Sequence, residues 1–352
     1  MKPPRPLLPS LDHLAALTDD TGVVQHAVES VPNRSTGYCT DDVARAFVVA
    51  LTRLRSLPGD RLATRLASTY LSFLHDAQLE DGRFHNFMSY QREWLDDVGT
   101  QDSCGRAIWA LGYGMQYAPT PAWRRLCRAI FDRAIATIDT FNFPHSRAYA
   151  IIGLYHAYAV LREPQYATAI RYLADQLLEA YDRERRDGWN WFADIMTYDN
   201  ARLPEALIRA GYVLGESRYR EAGLEALRFY EGVTIVDGIF VPIGNEGWYR
   251  RGGDRAIYSQ QPLDACAMID AELAAFEATE DATHLAKAEL SLAWFYGKNS
   301  RGETIADGGG CFDGLDEHAV NRNMGAESTL ALLSGAYAMA ERQTRTLRAV
   351  NR

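Results

Sequence analysis

Apolar residues along this chain fall into two alternating kinds of helical segment. Six segments open on polar or acidic residues and run directly into an Ala-rich apolar stretch: TDDVARAFVVAL around Asp42, QDSCGRAIWALG at Asp102, PHSRAYAIIGLY at Ser146, DNARLPEALIRAG at Asn200, QQPLDACAMIDAEL at Asp264 and NMGAESTLALLSG at Glu327. These stretches are apolar nearly all round and carry small residues, the pattern of helices buried on most sides. Between them lie segments with apolar residues at three- and four-residue spacing, residues 61–77, 121–138, 166–181, 219–230 and 282–295, which read as amphipathic outer helices. Residues 10–17 supply a short first outer helix. The starts recur every 45 to 65 residues or so, room for two helices and their connections, so the pattern predicts six helical hairpins.

A tandem α-solenoid would also repeat helix pairs, but its units run to roughly 30–45 residues and carry few long insertions. Here long insertions precede inner helices, at 81–101, 187–202, 234–261 and 301–323. TIVDGIFVPIG within the third has the β-branched residues and turn glycine of a short hairpin. Because each insertion feeds the N-terminus of an inner helix, closing the hairpins into a ring gathers them at one rim. The expected fold is all-α, with residues 1–352 forming one domain and short β-hairpins at a funnel mouth.

The insertions concentrate tryptophans, amides and acids: Trp94, Asp96, Asp97, Trp189, Trp191, Asp194, Asp199, Glu246, Trp248, Asp254, Asp313, Asn321 and Asn323. Aromatic faces meet sugar C–H surfaces, and carboxylates and amides meet hydroxyls. Glycoside hydrolysis in addition needs two carboxyl groups flanking the scissile bond. The six starts and their insertions resemble the (α/α)6-toroid glycoside hydrolases and the related acylglucosamine-epimerase-like sugar isomerases. The resemblance covers the whole length as architecture, without a family-defining motif. It implies a sugar bound at the N-terminal ends of the inner helices, and so points to Asp42, Asp102, Asp199, Asp264 and Glu327.

Among these, Asp42, Asp102, Asp199 and Asp264 are the candidate catalytic acids, Asp42 facing Asp199 and Asp102 facing Asp264 across the ring. Tyr38, His85, Trp94, Asp97, His145, Arg147, Trp189, Trp191, Glu246, Trp248, Gln261, Asn323 and Glu327 are candidate substrate contacts, with Trp189, Trp191 and Trp248 as the sugar platform. Each acid also has a plain structural alternative: Asp41 reads as the N-cap ahead of Asp42, and Asp102 before Ser103 as another cap. Arg106, Arg147 and Arg202 read as partners of the acids.

Composition narrows the chemistry. Of 352 residues, 47% are hydrophobic and 24% charged, ordinary for a folded globular chain. A formal charge of −9 with scattered basic residues excludes a phosphate-tracking nucleic-acid binder. Cys39, Cys104, Cys127, Cys266 and Cys311 form no CxxC pair or zinc pattern, and no Gly-rich phosphate loop follows a strand, so no metal and no cofactor is expected. The prolines of MKPPRPLLPS interrupt any signal-peptide core, and the apolar run 148–161 is too short to span a membrane, so a cytoplasmic protein off the membrane is expected. Three functions fit: a glycoside hydrolase or phosphorolytic relative acting on an oligosaccharide, a sugar epimerase or isomerase using His85, His145 or His318 as acid and base, or a non-catalytic carbohydrate-binding partner of a glycosyltransferase.

Overall fold

Short polar residues and prolines set where the helices begin. Asp60, Thr100 and Thr120 accept hydrogen bonds from the backbone N–H three residues on, and Pro121, Pro144, Pro164 and Pro262 occupy first-turn positions that need no amide hydrogen. A computed structural model describes residues 8–350, with side chains through residue 343. The inner helices are α2 (Thr40–Ser56), α4 (Gln101–Tyr117), α6 (Pro144–Leu161), α8 (Arg202–Leu214), α10 (Pro262–Thr279) and α12 (Ala326–Val350). The outer ones are α1 (Asp12–Leu17), α3 (Arg61–Asp76), α5 (Pro121–Ala134), α7 (Pro164–Glu184), α9 (Ser217–Thr234) and α11 (Thr283–Trp294).

Each inner helix packs on the next, and α12 packs on α2, so the six close into a ring. This is the (α/α)6 toroid. The outer helices bury one stripe only; in α3 it is Ala63, Leu66, Ala67, Tyr70, Leu71, Phe73 and Leu74. The α1 segment completes the last hairpin against α12, where the Tyr337 hydroxyl donates to Pro9 O at 2.8 Å. Glycines let α4 and α6 meet backbone to backbone: a Cβ on Gly112 would fall 2.1 Å from Gly153 O. That approach is what brings the first turns of these two helices within hydrogen-bonding reach.

The insertions add only two-residue antiparallel pairs. Ile235–Val236 pairs with Ile239–Phe240 through Asp237 and Gly238, both at positive φ, the two-residue turn that suits strand twist. Tyr38–Cys39 pairs with Phe87–Met88, and Ile195–Met196 with Tyr249–Arg250, so separate insertions are knitted into one rim. No helix among the described residues is long and apolar enough to cross a membrane.

Candidate functional site

A register shared by three inner helices builds the mouth. Asp41, Asp102 and Glu327 are each the second residue of their helix, α2, α4 and α12 respectively, and these helices are consecutive around the ring. All three line a cavity of about 500 Å³ at the N-terminal rim. Its opposite arc carries Phe143, Tyr198, Asn245, Trp248 and Gln261. Acids on one side therefore face rings and amides on the other.

The next residue along each helix turns by about 100° and enters the wall instead. Asp42, Ser103, Ser146, Asp264 and Ser328 all occupy that third position and are buried. The sequence reading placed the start of α2 two residues too late. Cys39 caps α2, its Sγ accepting from Asp42 N at 3.4 Å, so Asp41 is no cap and is the acid that reaches the mouth. Thr100 likewise caps α4, which leaves Asp102 out of capping.

One guanidinium organises the acid arc. Arg45, 7% exposed, donates to Asp41 at 2.6 Å, Asp42 at 2.7 Å and Glu327 at 2.8 Å. Burial pushes the Asp41 carboxyl up, but Arg45 and then Arg106 outweigh it and hold it below the usual carboxylate range. Asp42 goes the other way: burial, opposed by Arg45 and reinforced by Asp41 and Glu327, raises it to about 7. Asp102 has no cation bonded to it. Its carboxylate accepts from Ser146 Oγ at 2.9 Å and from the Tyr198 hydroxyl at 2.5 Å, both neutral donors.

Below the mouth lies a buried ionic floor. Arg106 stacks over Tyr149 at 4.3 Å and reaches Asp199 at 3.3 Å, while its Nε and Nη1 have no protein partner. Asp199, fully buried and at φ 49°, also meets Arg202 at 3.4 Å and accepts from the Tyr149 hydroxyl at 2.5 Å. Burial raises its carboxyl, and Arg202 and Arg106 more than reverse that, leaving it lowered. Asp264 is fully buried too, accepting from Asn200 N and Nδ2 at 3.4 Å, and burial together with Asp199 drives its carboxyl well up. Asp42, Asp199 and Asp264 thus stand under or beside the cavity, and none of them lines it.

The candidate contacts divide in the same way. Trp248, held at φ 55° with its Nε1 donating to Asn245 Oδ1 at 3.3 Å, lines the mouth with Gln261 and Glu327. Trp189 and Trp191 do not form a sugar platform: at 2% and 1% exposure they are core residues, Trp189 donating to Ala193 O at 2.7 Å and Trp191 stacking on Tyr230. Tyr38 is buried with its hydroxyl on Asp19, and His85 stacks on Trp94 with Nδ1 bonded to Asp96 O. Asp97 and Glu246 are exposed outside the cavity, Arg147 donates to Phe141 O at 2.9 Å, and Asn323 accepts from Glu29 N at 3.0 Å. His145 stacks behind Tyr198, its Nε2 donating to Tyr198 O at 2.8 Å; burial, opposed by Asp102, lowers its pKa. Asn86, Phe143, Tyr198 and Asn245 are mouth residues that the sequence reading passed over. All but Phe143 lie in the insertions, where only the folded rim decides which side chains turn inward.

Among the described residues, two clusters have ligand atoms close enough to hold a metal ion, Cys39 with Asp41 and Asp42, and Glu231 with Glu272 and His284. A cationic side chain already sits in each, Arg45 on both aspartates and Lys287 on Glu231 at 2.5 Å.

No protein-family model matches this chain, and no curated protein matches its sequence. Solved structures do match in fold. A cellobiose 2-epimerase from Bacillus thermoamylovorans B4167 aligns with a TM-score of 0.73 and 13% identity, covering 95% of this chain and 96% of that one. A D-mannose isomerase aligns with a TM-score of 0.73 and 11% identity over 94% of each chain. A GH76 α-mannanase from Bacteroides thetaiotaomicron aligns with a TM-score of 0.67 and 10% identity over 95% of each. These likenesses establish the fold.

Proposed function

We propose that this protein is a glycoside hydrolase in which Asp102 is the general acid and Asp41 the carboxylate that activates water. The observation that carries the reading is the divided mouth: Asp41, Asp102 and Glu327 on one arc, Phe143, Tyr198 and Trp248 with amides on the other. Rings take a sugar's apolar face, and the acids lie within reach of its glycosidic oxygen and anomeric carbon. The two arcs divide the labour.

The acids differ in the way such a reaction needs. Asp41 is held ionised by Arg45 and Arg106, which suits a base. Asp102 is held by the Ser146 and Tyr198 hydroxyls at the cavity wall, which positions its carboxyl for proton transfer to a bound sugar. In the reaction Asp102 gives its proton to the departing glycosidic oxygen while Asp41 removes one from the water attacking C1. Inversion needs room for a water between acid and base, a carboxyl separation of roughly 6.5–9.5 Å.

Sugar-processing neighbours of the same fold support a carbohydrate substrate, and they include epimerases and an isomerase as well as a mannanase. Against epimerisation here, the cavity lining contains no histidine, and His145 lies behind Tyr198 with its Nε2 engaged. The deciding experiment follows anomeric proton signals by NMR while the protein acts on oligosaccharides of defined linkage. A new reducing end of inverted configuration is expected. A C2 epimer or ketose appearing without chain cleavage refutes the hydrolase.

A further inference from the structure

We propose that the opposite end of the ring axis holds a second binding site, one that takes a single neutral sugar ring. The C-terminal halves of all six inner helices enclose a cavity of about 220 Å³ there. Pockets for drug-sized ligands run to ~300–1,000 Å³, so this one fits a single ring and not a chain. It is separate from the mouth. Trp109, 6% exposed, roofs it with the Arg202 guanidinium 4.8 Å over the indole, and only about 10 Å³ of space remains between those side chains and Arg45.

Charge selects what can enter. Two of the cavity's lining cations sit on its acids: Arg55 donates to Glu341 and to the Tyr113 hydroxyl at 2.7 Å, and Arg209 to Glu205 at 2.7 Å. Arg202, from the roof, bonds Glu205 at 2.7 Å and Asp270 at 2.8 Å. The inner helices also point their C-termini, the negative ends of their dipoles, toward this side. An anion is disfavoured.

A cationic ligand is disfavoured as well, because guanidiniums already occupy the ring faces that would attract it. Arg55 lies 3.6 Å from the Tyr117 ring centre, Arg342 4.2 Å from Phe276 and Arg209 5.1 Å from Tyr155. What remains open is neutral hydrogen-bonding capacity between aromatic walls. The Tyr117 and Tyr155 hydroxyls bond no other described residue, and neither does the Nε2 of His156, which is buried with Nδ1 on Gln116 at 2.7 Å. Burial, then Arg209 and Arg55, lowers His156 well below its ordinary pKa, so it stays neutral. A compact ligand that offers neutral hydroxyls all round its rim answers this lining.

The test is saturation-transfer NMR and calorimetry on the intact protein, with D-glucose, D-mannose and myo-inositol as neutral probes and D-glucuronate and D-glucosamine as charged ones. At least one neutral probe should bind the parent, and should bind equally well after Trp248→Ala has weakened the mouth. Ala338→Phe, which fills the cavity, should abolish that binding, and Tyr155→Phe, which removes one hydroxyl, should weaken it about tenfold. The melting temperature of each variant reports folding, and Tyr155→Phe carries the test if Ala338→Phe does not fold. The proposal is overturned if Trp248→Ala removes all binding, if the cavity variants bind like the parent, if charged probes bind more tightly, or if no neutral probe binds.

Discussion

Replacing Arg45 by methionine keeps an unbranched side chain of similar reach and removes the charge that Asp41, Asp42 and Glu327 share. Glu327 contributes little to the expected cost, since its side chain is 40% exposed and water can solvate it. Asp41 dominates, because its side chain is only 28% exposed and Arg45 holds it ionised, whereas Asp42, already raised to about 7, takes up a proton once Arg45 is gone. Stranding a buried charge of this kind costs ~3–5 kcal/mol. A chain of this length unfolds with an entropy of about 0.7 kcal/mol/K, so the melting temperature should drop by roughly 4–7 °C at pH 7.

The pH dependence gives the sharper check. In the parent, the lowered Asp41 carboxyl adds stability above its unfolded pKa, and this is lost as pH falls through the folded value. Without Arg45, burial outweighs Arg106 at Asp41 and is joined by the neighbouring acids at Asp42, so both take up protons more readily in the folded than in the unfolded chain. The variant then regains stability as pH falls, and the gap to the parent narrows between pH 7 and pH 5. Thermal melts by circular dichroism across that range measure it. A drop smaller than about 1.5 °C at pH 7, or a gap as wide at pH 5, refutes the view of Arg45 as the charge that holds this arc together.

Other outcomes follow from the same geometry. Asp102→Asn and Asp41→Asn should each lower turnover by on the order of 10²–10⁴ while the fold is retained, Asp41→Asn with some loss of melting temperature, read on any oligosaccharide that the parent cleaves. Asp264→Asn should leave turnover near the parent's and raise stability at pH 7 by about 1 kcal/mol. Its raised carboxyl costs progressively more as pH rises from the unfolded value, so the gain should vanish toward pH 4 in denaturant titrations. Trp248→Ala should raise KM about tenfold while folding normally, the loss of roughly 1.4 kcal/mol of ring contact. Trp191→Ala, in the core, should instead cost ~3–5 kcal/mol of stability whatever the substrate.

Helix order, hairpin pairing and ring were all legible in the amino-acid pattern because they rest on local physics. Apolar residues all round α4 or α10 demand burial on every side, the single stripe of α3 demands one covered face, and Thr100 or Pro262 can do little except start a helix. The rim was legible for the same reason, since long insertions fell before inner helices. Which acids face the axis was not. Asp41 and Asp42 are adjacent and chemically identical, and one residue of helical rotation, about 100°, sends the first into the mouth beside Arg45 and the second into the wall. An error in placing the helix start exchanges their roles, and the cap that sets the start is a cysteine, which no capping preference singles out. Trp191 and Trp248 stand in insertions of like composition, yet Tyr230 on α9 draws one into the core and Asn245 holds the other at the rim. Such choices depend on partners distant in sequence or on the exact phase of a helix, and packing decides both only once the ring has closed.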